Sequence, residues 1–130
     1  MAERSPYKHE NSPLLVKSEN FAGRVLNMVQ YLDENRKAYK PILNQILRSG
    51  TSISANIGES QFAQTPADFI TKLHISLKEA NETQRWLNML LHAKSITTKQ
   101  HESMNNDLNE IISILVASLN TIKKNNPNLK

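Results

Sequence analysis

PILNQILRSGTSISANIGES, residues 41–60, decides the fold. Ile42, Ile46, Ile53 and Ile57 recur at helical spacing, so one face of a helix is a core stripe. Gly50, Ser54 and Gly58 stand four apart in the same helix. Each interior glycine costs about 1 kcal/mol relative to alanine, so such a stripe predicts a second backbone approaching closely at all three positions. The segment reads as part of a tightly packed helix assembly, and nothing in it resembles an active site.

Working outward, three more helices have start and stop signals. Ser18 is the expected N-cap of a first helix with Phe21, Val25, Met28, Val29 and Leu32 on one face, ending near Asn35. Pro41 suits the first turn of the second helix, which runs to about Gln61. Thr65, Pro66 and Asp68 combine a hydroxyl cap, a first-turn proline and a first-turn acid, opening a third helix that reaches about Lys94. Thr97 or Thr98 caps the fourth, which runs to about Lys124 before Asn125, Asn126 and Pro127 stop it. Short connections favour antiparallel neighbours, so the expected fold is an all-α, antiparallel up-down-up-down four-helix bundle. It should span residues 18–124, between flexible tails at 1–17 and 125–130, with Leu14, Leu15 and Val16 packing back onto it.

A chain of 130 residues is one domain on length, able to bury about two-thirds of its unfolded surface. It has no cysteine, which excludes disulfides and thiolate metal sites. Residues 1–13 lack the apolar stretch of a signal peptide, and no apolar run is long enough to cross a bilayer. A soluble, cytoplasmic protein without a membrane partner is expected. The net charge is +4, yet residues 18–122 hold ten basic and ten acidic side chains, so the excess lies in the ends. Such charge serves solubility as readily as binding.

Three faces separate on the third helix. Ile70, Leu73, Leu77, Ala80, Leu87 and Leu91 make the expected core stripe. Ile75, Trp86 and Met89 make a second apolar stripe, with Glu79 and Glu82 among them. That stripe is either a wide core contact or a subunit interface anchored by the lone tryptophan. On the fourth helix Met104, Leu108, Ile111, Leu115, Leu119 and Ile122 already complete a core stripe. Ile112, Ile114 and Val116 widen its apolar arc beyond what a monomeric bundle needs, which favours self-association.

His74, Lys78, Asn81, Arg85 and His92 form the third face, polar and basic. Lys78 and Arg85 are spaced to track phosphates; the alternative is a solvated face in which Lys78 pairs with Glu82. A second basic locus follows from topology, because the first and third loops share one end. That end gathers Arg36, Lys37, Lys40, Lys94 and Lys99 against Asp33, Glu34 and Glu102.

No catalytic or cofactor motif is visible. His9, His74, His92 and His101 are scattered without metal-ligand spacing, and Ser49, Ser52 and Ser54 lie near no plausible base. Gly50 and Gly58 are too far apart for a phosphate loop. Glu59, Glu79 and Glu82 fit ion pairs with Arg48, Lys78 or Arg85 better than a carboxylate site. No enzyme, metal or cofactor is expected.

Two runs carry a family resemblance. The first is Leu47-Arg48-Ser49-Gly50-Thr51-Ser52-Ile53, then Ala55-Asn56-Ile57 and Glu59. The second is Asp68-Phe69, Lys72, Ile75, Leu77-Lys78-Glu79-Ala80, Glu82-Thr83 and Trp86-Leu87. Together, over about residues 18–122, they resemble the bacterial "four helix bundle protein" family, named after reading frames in intervening sequences of 23S rRNA genes. Gly58 and Ser60 depart from its pattern. The resemblance implies a four-helix bundle assembled as a ring-like homopentamer without known enzymatic activity. The family is in turn similar, distantly, to the accessory variability protein of diversity-generating retroelements, which binds a reverse transcriptase and nucleic acid. Two functions remain open: an oligomer that binds RNA or DNA as an accessory factor, or an oligomeric scaffold with protein partners only.

Overall fold

The computed structural model of the protein describes residues 12–128, which form four helices: α1 (Pro13–Glu34), α2 (Lys40–Ser60), α3 (Pro66–His92) and α4 (Thr98–Asn125). Each packs on the next, α4 closes the ring against α1, and diagonal pairs make no close backbone approach. The cross-links fix the directions. Lys17 meets Glu110 and Arg24 meets Asp107 across α1 and α4. Arg48 meets Glu79 and Glu82 across α2 and α3, where Glu59 meets Lys72. Gln84 reaches Asn105 and Asn109, and Asn88 meets His101, across α3 and α4. In every pair one number falls as the other rises, so neighbours are antiparallel. The all-α up-down-up-down bundle is the observed architecture.

Local chemistry starts the helices where it was expected to, with one exception. The Thr65 hydroxyl accepts the Asp68 N–H at 3.1 Å. Thr97 and Gln100 form a reciprocal capping box. The exception is α1, which begins at Pro13 rather than after Ser18. Proline needs no partner for a missing N–H at a helix start, and Leu14, 7 % exposed, joins the core. Ser18 is fully buried and donates back to the Leu15 carbonyl, so it satisfies itself inside the helix instead of capping one.

The core is a single apolar column. The α4 stripe is buried as read, from Met104 through Ile122. Two stripes are rotated from the sequence reading. On α2 Leu43 is buried and Ile42 is only partly so. On α3 Leu77 and Leu91 are half-buried, whereas Ser76, Thr83 and Leu90 lie inside. Apolarity misjudged α3 because its buried hydroxyls have partners. Ser76 Oγ donates to the Ile53 carbonyl at 2.9 Å, and Thr83 Oγ1 lies 2.9 Å from Ser49 Oγ and 2.8 Å from the Glu79 carbonyl. A polar group so satisfied costs little to bury.

The three small residues of α2 do different things. A Cβ on Gly50 would lie 2.9 Å from both methyls of Val25, a fully buried, β-branched side chain with no room to turn. Here α1 approaches the backbone of α2. Gly58 corrects the expectation: a Cβ there would meet nothing within 4 Å. Ser54 is half-buried and donates to the Thr51 carbonyl of its own helix. Equal spacing along a helix does not mean equal surroundings, because the neighbour's side chains decide what each position faces.

Candidate nucleic-acid interface

Both loops at one end of the bundle close a helix in the same way. At the end of α1 the Arg36 N–H bonds the Asp33 carbonyl at 3.1 Å and the Lys37 N–H bonds Leu32 at 2.9 Å. At the end of α3 the Lys94 N–H bonds Leu91 at 3.0 Å and the Ser95 N–H bonds Leu90 at 2.9 Å. This is a Schellman closure, which requires one residue in the left-handed region, a place usually taken by glycine. Here the residues are Arg36, with φ 51°, and Lys94, with φ 60°. A side chain in that region costs about 1–2 kcal/mol. They are the only non-glycine residues with positive φ among those described, and both are cations at the same end.

Charge at this end is only partly explained by folding. Arg36 and Lys94 sit where the negative ends of the α1 and α3 dipoles favour cations. Lys40 and Lys99 stand in the first turns of α2 and α4, where the dipole favours an acid, and neither turn holds one. α3, which starts at the opposite end, carries Asp68 there.

Ion pairing divides the cations cleanly. Lys17, Arg24, Arg48 and Lys72 each hold at least one carboxylate. The hydrogen bond to Glu110, and then its charge, raise the pKa of Lys17 above the usual 10.5, and Glu59 does the same for Lys72. Arg36, Lys37, Lys40, Lys78, Arg85, Lys94 and Lys99 hold no carboxylate among the described residues. Lys78 does not take Glu82, as the alternative reading had it. Arg48 bridges Glu79 and Glu82, and Trp86 Nε1 donates to Glu82 at 3.1 Å.

The basic face of α3 runs toward the loop end. His74, Lys78, Arg85 and His92 are exposed on α3. Lys78, Arg85 and His92 repeat every seven residues, two turns or about 10 Å apart, and the row leads to Lys94. Beside its start lies a shallow cavity of about 410 Å³ bordered by His74, Leu77, Lys78, Asn81, Glu82 and Arg85, so one carboxylate shares it with the cations.

Two aromatic residues escaped the sequence reading. Tyr31 is 47 % exposed and Tyr39 is 75 % exposed, flanking the basic first loop. The Lys37 ammonium stands 5.6 Å from the Tyr31 ring centre. Aromatic residues interleaved with cations over 31–40 were the signal that could have found them.

The expected interface residues do not form one patch. Ile75, Trp86 and Met89 lie on the side of α3 that faces α2, in the row of Glu79 and Glu82. Ile112 and Val116 continue the row of Asn105 and Asn109, beside α3. Ile114 continues the row of Asp107 and Glu110, beside α1. Ile75, Met89 and Val116 are exposed, while Trp86, Ile112 and Ile114 are half-buried against the core. No grouping of three His, Asp or Glu side chains among the described residues is set to hold a metal ion. No helix in them is long and apolar enough to cross a membrane.

Comparison with solved structures finds a protein of unknown function from the S23 ribosomal protein family of Bacteroides thetaiotaomicron. It shares 48 % sequence identity at a TM-score of 0.79, covering 82 % of this chain and 97 % of that one. No curated protein matches. Residues 10–117 match the 23S rRNA-intervening sequence protein family, a span holding both sequence runs and most of the bundle. With that match and a relative nearly half identical over most of its length, the chain belongs to the 23S rRNA-intervening sequence protein family.

Proposed function

We propose that the chain acts without catalysis, as a homo-oligomer that binds RNA or DNA through basic surfaces as an accessory factor. The observation that carries this reading is the loop end. Arg36, Lys37, Lys40, Lys94 and Lys99 have no carboxylate partners among the described residues, and two of them, Lys40 and Lys99, stand where the helix dipole disfavours a cation. Uncompensated cations retained at a local cost support an external anion as their partner. The row Lys78, Arg85, His92 extends the same surface along α3. Contacts of this kind go to phosphates and carry no base sequence.

Assembly supplies the affinity. One subunit offers few phosphate contacts, whereas the homopentamer that the family resemblance implies repeats them around an axis. One long strand then engages several subunits at high effective concentration. Its protein partner in this reading is a reverse transcriptase or another protein. The family description supports 23S rRNA fragments as a first probe.

The experiment measures binding of the intact oligomer to long RNA and DNA by fluorescence anisotropy across a salt series. Affinity should fall steeply with salt, because phosphate contacts release counterions. Charge reversal of Lys37, Lys40 and Lys99 together should abolish binding, and reversal of Lys78 and Arg85 should weaken it. An oligomer that binds neither nucleic acid at low salt overturns the reading. The protein-only scaffold then stands, supported by the exposed Met89, Val116 and Ile75. A monomer mass by light scattering at micromolar concentration overturns both.

A further inference from the structure

Between α1 and α4, at the basic end, the bundle opens into a groove of about 510 Å³. Met28 and Met104 form part of its apolar wall, Tyr31 stands in it, and Asn27, Lys99 and Gln100 border it. From this we infer that the groove receives an unstacked nucleobase, so that the preferred ligand is single-stranded. The inference rests on the nucleic-acid reading above and deepens it.

A base needs three things from a site: a flat apolar surface for its π face, polar groups for its edge, and a cation for its phosphate. The groove has all three. Tyr31 offers an aromatic ring that is half exposed, and the methionines adapt to whatever shape lies against them. Asn27 and Gln100 carry amides that both donate and accept. The Gln100 carbonyl oxygen is held by the Thr97 N–H, which leaves its NH2 free to donate. Lys37, over the Tyr31 ring, and Lys99, at the border, are positioned for flanking phosphates. Neither lysine has a carboxylate partner among the described residues, so the groove's charge complements a polyanion.

Duplex DNA keeps its bases stacked and paired, and its grooves do not present a π face. Single strands do, and they bind proteins that combine a cationic path with aromatic platforms. Because every base has a π face, selection here is for strandedness and not for sequence.

The test uses the full-length oligomer with a 2-aminopurine-labelled single strand and with a duplex of equal length. The single strand should bind more tightly, and its label should quench on binding. Tyr31→Ala should weaken single-strand binding by roughly 5- to 150-fold, remove the quenching, and leave duplex binding and the salt slope unchanged. Tyr31→Phe should keep both affinity and quenching, since it retains the ring. Wild-type affinity in a folded Tyr31→Ala oligomer overturns the groove assignment alone; loss of binding on reversal of Lys37, Lys40 and Lys99 would still uphold the surface. Absence of binding to either probe by the unaltered protein removes both readings together.

Discussion

α2 is closed in on two sides, whereas the seam between α1 and α4 stands partly open. Toward α1, Gly50 leaves room only for the Val25 methyls. Toward α3, Ser49, Thr83 and Ser76 are fully buried, Thr83 bonded to Ser49 and Ser76 to the Ile53 carbonyl, with Arg48 bridging Glu79 and Glu82 nearby. Between α1 and α4 the links are exposed pairs, Lys17 with Glu110 and Arg24 with Asp107, and the helices part around a groove. α2–α3 is the most extensive helix contact and α1–α4 the least. The difference follows from side-chain size. Glycine and serine let backbones approach, while Met28, Met104 and Arg24 hold them apart and leave space between.

The strongest way to break the closed side is a buried charge. Ile53→Asp would put a carboxylate at a position with no solvent exposure, and the helical circular dichroism should collapse at 25 °C. A folded, equally stable variant would refute the placement of the core. Overpacking is the next largest effect. Gly50→Leu should cost about 1–3 kcal/mol in urea unfolding, as bulk is driven into Val25.

Removing one hydroxyl is gentler. Thr83→Val takes a partner from Ser49 and should cost about 1–2 kcal/mol, with Ser49→Ala adding less than its separate effect because the two are coupled. The open seam should respond weakly. Arg24→Ala should cost less than about 1 kcal/mol, since the pair it breaks is solvent-exposed. Gly58→Ala sharpens the contrast from within α2: with nothing near its Cβ it should stabilise by about 0.5–1 kcal/mol. A destabilised Gly58→Ala would mean that α2 is closed along its full length after all, in the assembly if not in the subunit.

The lysine pairs give little pH dependence near neutrality. Raised pKa values mean that the contributions of Lys17 and Lys72 are present below the ordinary lysine range and are lost only as pH rises through the raised values. Stability near neutrality should therefore not change with pH on their account, and should fall only above the ordinary lysine range.

The periodic positions were the legible ones. Isoleucine and leucine spacing located the α4 stripe residue for residue, threonine with proline located the start of α3, and a threonine cap located that of α4 to within one residue. Where hydroxyls do the packing, apolarity was a poor guide, so Ser76 and Thr83 escaped notice in favour of Leu77 and Leu91. The basic residues were visible by type, and the shared end of the first and third loops followed from topology. Their lack of carboxylate partners was not visible, because Arg48 and Lys72 look no different in a string of letters from Lys78 and Arg85. Tyr31 gains meaning only beside a groove that α1 and α4 create together.

By itself the sequence determined the helix count, their antiparallel order and the family, because each rests on local periodicity, capping chemistry or a matched run of residues. Tertiary structure alone decided which small residue faces a neighbour, which cation keeps its charge free, and where an opening forms. Those properties belong to pairs of helices, and the distance between two helices is set by all the side chains in the seam at once.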